Sequence, residues 1–283
     1  MGSSFSAIAA FVTSSSPSST PPPNPGLADM PVDCLALVLA RLQPPEICRF
    51  ATLNRAFRAA SLSHTLWDSK LPHNYTLIVD KLLLGEPHVG LGSRTIYATL
   101  SRANPFHGGT KLVWLHRSGS GLCMSISSKA LAITGVDDRR YWTHLPTQES
   151  RFGTVAYLQQ TWWLEVEGEV EFPLPAGSYN VVFRLQLGRA SKRFCRRVCD
   201  SKHVRGWDKK PASFQLWTSD GQYCATQHFL TDPGKWINYH VGSFVVDKRD
   251  QMTKVRFSMT QIDCTHPKGG LCIDSVLILP KMG

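Results

Sequence analysis

The chain has 283 residues, enough for one or two domains at about 150 residues each. Its composition, 42% hydrophobic and 18% charged, supplies a real core and excludes disorder of the whole chain. The formal net charge of +10 favours acidic partners, and no apolar run reaches the ~20 residues of a membrane span. Eight cysteines, Cys34, Cys48, Cys123, Cys195, Cys199, Cys224, Cys264 and Cys272, are too dilute for a disulfide scaffold, so a reducing compartment is expected.

The first six residues, Met1-Gly2-Ser3-Ser4-Phe5-Ser6, fit the N-myristoylation pattern at Gly2. The apolar stretch Phe5–Val12 has no basic residue before it and makes a poor signal peptide. The Ser/Pro tract over 13–26 offers nothing to a core, so 1–26 is read as a disordered or extended leader. Residues 27–72 carry helical spacing. Leu35, Val38, Leu39 and Leu42 fall on one helical face, with Pro31 and Asp33 suited to its first turn. Pro44-Pro45 stops that helix and opens a second, which carries Ile47, Phe50 and Ala51. A third segment, Asn54–Ala60, carries Phe57, and Leu62, Leu66 and Trp67 follow. Tyr75–Leu84 is a further helix candidate, and 73–110 is read as a helical linker.

After about residue 110 the apolar period changes to two. In Trp163–Phe172, Leu164, Val166, Val170 and Phe172 point one way and Glu165, Glu167, Glu169 and Glu171 the other: a strand with one wet face. The alternating glutamates read as a solubilising surface rather than a glycosidase pair, with Arg184 on the next strand as a partner. Further strand candidates are Lys111–His116, Gly121–Ser127, Ser213–Thr218, Tyr239–Val246, Lys254–Ile262 and Leu271–Leu279. Short strands between turn signals imply a β-sandwich or jelly roll over 111–281. The predicted fold class is therefore α+β, a small three-helix module followed by an all-β sandwich.

The string at 30–72, with Met30-Pro31, Leu35/Val38/Leu39/Leu42, Ile47/Cys48/Phe50 and Leu66-Trp67 at their places, resembles an F-box. The resemblance implies docking on the Skp-type adaptor of an SCF ubiquitin ligase, and through it a cullin scaffold. Three short helices leave apolar surface uncovered, which a partner would cover. Pro31, Leu35, Leu39, Leu42, Ile47 and Phe50 are the residues expected to form that surface.

The strings Ser125–Thr134, Asp137–Trp142, Glu149–Phe152, Trp163–Val166 and Tyr179–Phe183 resemble the phloem protein 2 or Nictaba-related lectins of plants. Joined to an F-box, the chain is similar to plant F-box proteins of the phloem protein 2-A type. The resemblance implies a glycan or glycoprotein ligand, with Trp142, Gln261 and Asp263 as the binding residues. An aromatic face stacks on a sugar ring while amides and carboxylates hold its hydroxyls. Trp142 serves equally well as a core tryptophan. Gly135 stands where those lectins carry a second Trp, and the turn from Gln261 to His266 replaces a Glu-containing stretch.

The cluster Lys192–Arg197 is read as a solvated basic loop rather than an import or phosphate signal, and no nucleic-acid partner is expected. Cys195, Cys199 and His203 stand four apart, with Cys224 and His228 as a second pair, but a metal site is not expected. Cys264 and Cys272 are read as free thiols. No nucleophile elbow, Walker loop or zincin motif occurs, so the chain is read as a non-enzyme without cofactor. The competing reading is a lectin without a ligase role. The resemblance places the protein in cytoplasm and nucleus.

Overall fold

The computed structural model describes Gly26 and residues 30–83, 90–117, 121–193, 196–247 and 251–281; residues 1–25 of the leader, Gly2 among them, lie outside the described residues. Among the described residues six α-helices come first: α1 (Val32–Leu39), α2 (Pro44–Phe50), α3 (Arg55–Ala60), α4 (His64–Asp68), α5 (Tyr75–Leu83) and α6 (Ser93–Leu100). The segment 30–72 thus holds four helices, not three. The extra one, α4, is five residues long, too short for a period to show. Polar side chains set the boundaries. Asn54 Oδ1 accepts from the Phe57 amide at 2.9 Å to start α3, and Glu46 reaches back to the Gln43 amide at 2.8 Å ahead of α2.

Leu35 and Leu39 of α1 are wholly buried with Ile47, Ala60 and Leu66. The helices close this core among themselves: α1 packs on α3 and α4. Trp67 of α4 donates through Nε1 to the Ser61 carbonyl at 2.7 Å and meets the Tyr97 ring of α6 at 5.2 Å. Helices α5 and α6 then rest on the first strands of the β-domain. The buried Asn74 adds a hydrogen bond to the Pro173 carbonyl at 3.1 Å.

The strands are β1 (Asn104–Phe106), β2 (Lys111–Leu115), β3 (Leu122–Ser127), β4 (Ala132–Ile133), β5 (Trp142–Pro146), β6 (Thr154–Leu158), β7 (Leu164–Phe172), β8 (Gly177–Leu187), β9 (Arg189–Arg193), β10 (Arg196–Asp200), β11 (Ala212–Thr218), β12 (Tyr223–His228), β13 (Trp236–Val246), β14 (Thr253–Gln261) and β15 (Leu271–Pro280). One sheet runs β1-β2-β3-β15-β6-β5, with β8 also on β15 and β13 on β8; the other runs β12-β11-β14-β7-β4. They pack face to face as a sandwich. Phe183 of the first sheet meets Phe214 and Phe257 of the second edge-on at 5.6 and 5.9 Å.

On β7 the four apolar residues face this core and the glutamates face out. Gly168 interrupts the inner row, where a Cβ would fall 2.5 Å from the Phe257 ring. Arg184 does not serve β7. It lies on β8 in the other sheet, pairs with the buried Asp274 at 2.5 Å and stacks over Trp236 at 4.4 Å. Glu169 is met instead by Arg256 and Lys254 of β14, at 3.0 and 3.1 Å. The basic run expected to be a loop forms the antiparallel hairpin β9–β10, with Lys192 opposite Arg197 and Arg193 opposite Arg196. Among the described residues no helix is long and apolar enough to cross a membrane.

Candidate functional site

The first candidate surface is on the helices. Of the six residues expected there, Leu35, Leu39 and Ile47 are fully buried and offer a partner nothing in this fold; they are the module's own core. Pro31 and Phe50 are exposed and Leu42 is half-buried. The apolar surface is carried instead by the other sides of the same helices. Met30, Val32, Leu37 and Val38 flank α1, and Leu53 follows α2. Leu37 is 70% exposed and Leu53 65%. Helix α1 is therefore apolar almost all round, a composition that suits a helix covered on both sides.

The second candidate surface is one end of the sandwich. Trp142 is correctly placed on β5 but is 2% exposed, and its Nε1 donates to the Thr134 carbonyl at 3.1 Å. Its ring face is spent on the core and is closed to a sugar. Gln261 is also buried, its amide donating to the Lys210 carbonyl at 2.6 Å. Only Asp263 of the three stands at the surface, where it accepts from the Thr265 amide at 2.8 Å and from Lys210 Nζ at 3.0 Å. These partners, Thr265 first, hold its carboxyl well below the usual carboxylate range.

Several open aromatic faces lie beside it. Trp162 is 52% exposed and Trp163 48%, just ahead of β7, and Tyr141 and Ile262 are exposed on neighbouring turns. A short ladder organises this rim. Thr161 pairs with Lys268, and the adjoining Gly269 pairs with Arg205. Lys268 itself is fully buried beneath the rim. Its ammonium donates to the carbonyls of Trp162 at 2.8 Å, His266 at 3.3 Å and Asp263, and burial pushes its pKa down. Trp207 Nε1 donates to the Gly269 carbonyl at 2.8 Å, and His266 Nε2 to that of Gly206 at 3.1 Å. Gly269 permits the close approach, since a Cβ there would fall 2.4 Å from the Gln159 carbonyl oxygen. The rim is thus a rigid shelf that presents two indoles.

A third feature is an open groove of about 910 Å³ on the outward face of the five-stranded sheet, lined by Trp217, Lys254, Arg256 and Glu169 among others. Among the described residues, no three metal-ligating side chains come together.

Family models match both halves of this architecture: F-box domain over 27–69 and Phloem protein 2 over 121–280. The chain belongs to the plant F-box proteins of the phloem protein 2 type. Full-length relatives of this family agree. The chain is 57% identical over 258 residues to "F-box protein PP2-A12" of Arabidopsis thaliana, covering 91% of this chain and 88% of the relative. It is 56% identical to "F-box protein PP2-A13" from the same plant, over 90% of this chain and 88% of the relative. Among solved structures, the sandwich overlaps a carbohydrate-binding module, TmCBM61 in complex with β-1,4-galactotriose. That match covers 55% of this chain and 91% of the module at 16% identity, with a TM-score of 0.32, and is too loose to carry an argument. The open aromatic rings include Tyr141, Trp162 and Trp163 and not Trp142.

Proposed function

We propose that this protein is a substrate receptor of an SCF-type ubiquitin ligase. Its F-box helices dock the Skp-type adaptor, which binds the cullin, and its sandwich presents a glycan-bearing target. The carrying observation is the outer side of α1. Val32, Leu37 and Val38 stay exposed although Leu35 and Leu39 already fill the module's own core. A free-standing helix gains nothing from such a stripe, and a partner helix or groove does. The transfer chemistry belongs to other subunits, and this chain acts by holding two proteins together. A receptor of this kind works in cytoplasm and nucleus.

The test is capture of a purified Skp-type adaptor by the full chain and by Leu37→Asp/Val38→Asp. Wild type is retained, and the double variant loses at least roughly a hundredfold in affinity while its melting temperature and circular dichroism hold. Undiminished capture by the folded double variant would sink the proposal.

The open indoles Trp162 and Trp163 favour a second reading, a lectin without a ligase role. Glycan binding abolished by Trp162→Ala, with no adaptor captured, decides for it.

A further inference from the structure

The positive charge of this chain is not spread evenly. Residues 189–210 hold nine of its 31 Lys and Arg and two of its 21 acidic residues, a net +7 out of +10. The register of the β9–β10 hairpin sets Lys192 opposite Arg197 and Arg193 opposite Arg196, two like-charged pairs in succession. The same segment continues into the rim. Arg205 pairs with Gly269 in the ladder that seats Trp162, and Arg205 Nη2 donates to Gln160 Oε1 at 2.7 Å. Lys202 and Lys209 are exposed on either side.

We propose that the saccharide read by this rim is acidic, bearing carboxylates of the uronate kind. This rests on the glycan reading above and narrows it. The indole of Trp162 packs on the apolar face of a pyranose. The Arg205 guanidinium, fixed by Gln160 through one nitrogen, turns its remaining N–H donors to a sugar carboxylate. The net +7 of residues 189–210 supplies a longer-range attraction that raises the encounter rate with a polyanionic chain. Asp263 does not repel such a ligand strongly, because Lys210 lies against it at 3.0 Å.

The experiment compares trigalacturonate with neutral chitotriose by calorimetry on the full chain, at about 0.05 M and about 0.5 M salt. The uronate binds at least roughly tenfold tighter at low salt, and the gap closes at high salt as the Debye length shrinks. Arg205→Gln removes the preference for the uronate over chitotriose, whereas Trp162→Ala weakens both sugars. Replacing Lys192, Arg193, Arg196 and Arg197 by Gln flattens the salt dependence. Equal affinity for the two sugars, or a preference indifferent to salt, overturns the proposal and leaves the glycan reading standing. Binding of neither sugar overturns both. A single-stranded oligonucleotide of matched charge that binds as tightly, indifferent to Trp162→Ala, also overturns it by showing a generic polyanion surface.

Discussion

Helix α1 and strand β7 each bury one side and expose the other, yet their exposed sides are chemically opposite. On β7 the outward residues are Glu165, Glu167, Glu169 and Glu171, and Glu169 is tied to Arg256 and Lys254. On α1 they include Val32, Leu37 and Val38. On these outward sides β7 meets water with charge and α1 meets it with hydrocarbon. An exposed leucine forgoes about 1.5–3 kcal/mol of burial. Strand β7 recovers that term within the sandwich, and the outer side of α1 leaves it unrecovered within the described residues. On the proposed reading the two halves bind by different physics: desolvation on the helices, and stacking with directed polar contacts at the rim.

The sharpest way to break this contrast is to cut into each side of α1 separately. Leu39→Ala removes a fully buried side chain and is expected to cost about 2–5 kcal/mol in urea unfolding. Leu37→Asp on the outer side is expected to cost less than about 1 kcal/mol, the range of an exposed substitution that also places an anion in the last turn. Similar losses for the two would mean that the outer side is covered by the chain itself, and α1 would then resemble β7.

Lys268 tests the rim in the same terms. Lys268→Met keeps the aliphatic stem and removes the ammonium that three carbonyls share. Each buried acceptor left without a donor costs about 1–3 kcal/mol, partly offset because a desolvated charge is also removed, so a net loss of about 2–4 kcal/mol is expected. On the proposed glycan reading, saccharide affinity falls with it, because the Trp162 and Asp263 turns lose their common tie. Unchanged stability would show that the rim is held by the backbone ladder alone. A smaller effect checks the helical side. Asn54→Ala deletes the cap of α3 and is expected to cost about 1 kcal/mol without touching the sandwich.

Much of the architecture was legible because residue type and period agreed. The Glu/Val alternation named both faces of β7, and Pro44-Pro45 and Asn54 marked helix starts that the structure keeps. Helix α1 defeated the same reasoning. It is apolar on nearly every side, so periodicity alone could not choose which stripe faces α3 and α4, and Leu35 and Leu39 were assigned outward. The hairpin β9–β10 was missed because a run of Lys and Arg carries no apolar alternation. The rim was missed for a different reason. Its parts, Thr161, Arg205 and Lys268, lie far apart in the chain and meet only through the ladder. The tandem Trp162-Trp163 just ahead of a regular strand was the one local signal that pointed there. Trp142 matched the lectin motif by position, but position in a motif does not say whether a ring is open or packed.

Acid provides the mildest probe of the difference between the halves, because protonation acts on the rim's charges and leaves a hydrocarbon stripe untouched. Asp263 has a folded-state pKa depressed by Thr265 and Lys210. As pH falls, the unfolded chain takes up a proton at this position first, near the ordinary value of about 3.9, while the folded carboxylate resists. Its contribution to stability is therefore complete above that value and is lost as pH drops through it toward the folded pKa. Asp263→Asn keeps an acceptor for the Thr265 amide and has no charge to lose. The variant's melting temperature should start slightly lower at pH 6 and decline less steeply between about pH 4 and pH 2, so that the two curves converge. Curves that fall in parallel would mean that the acid sensitivity lies in other carboxylates. The ion pair with Lys210 would then be a surface contact of no consequence to the rim.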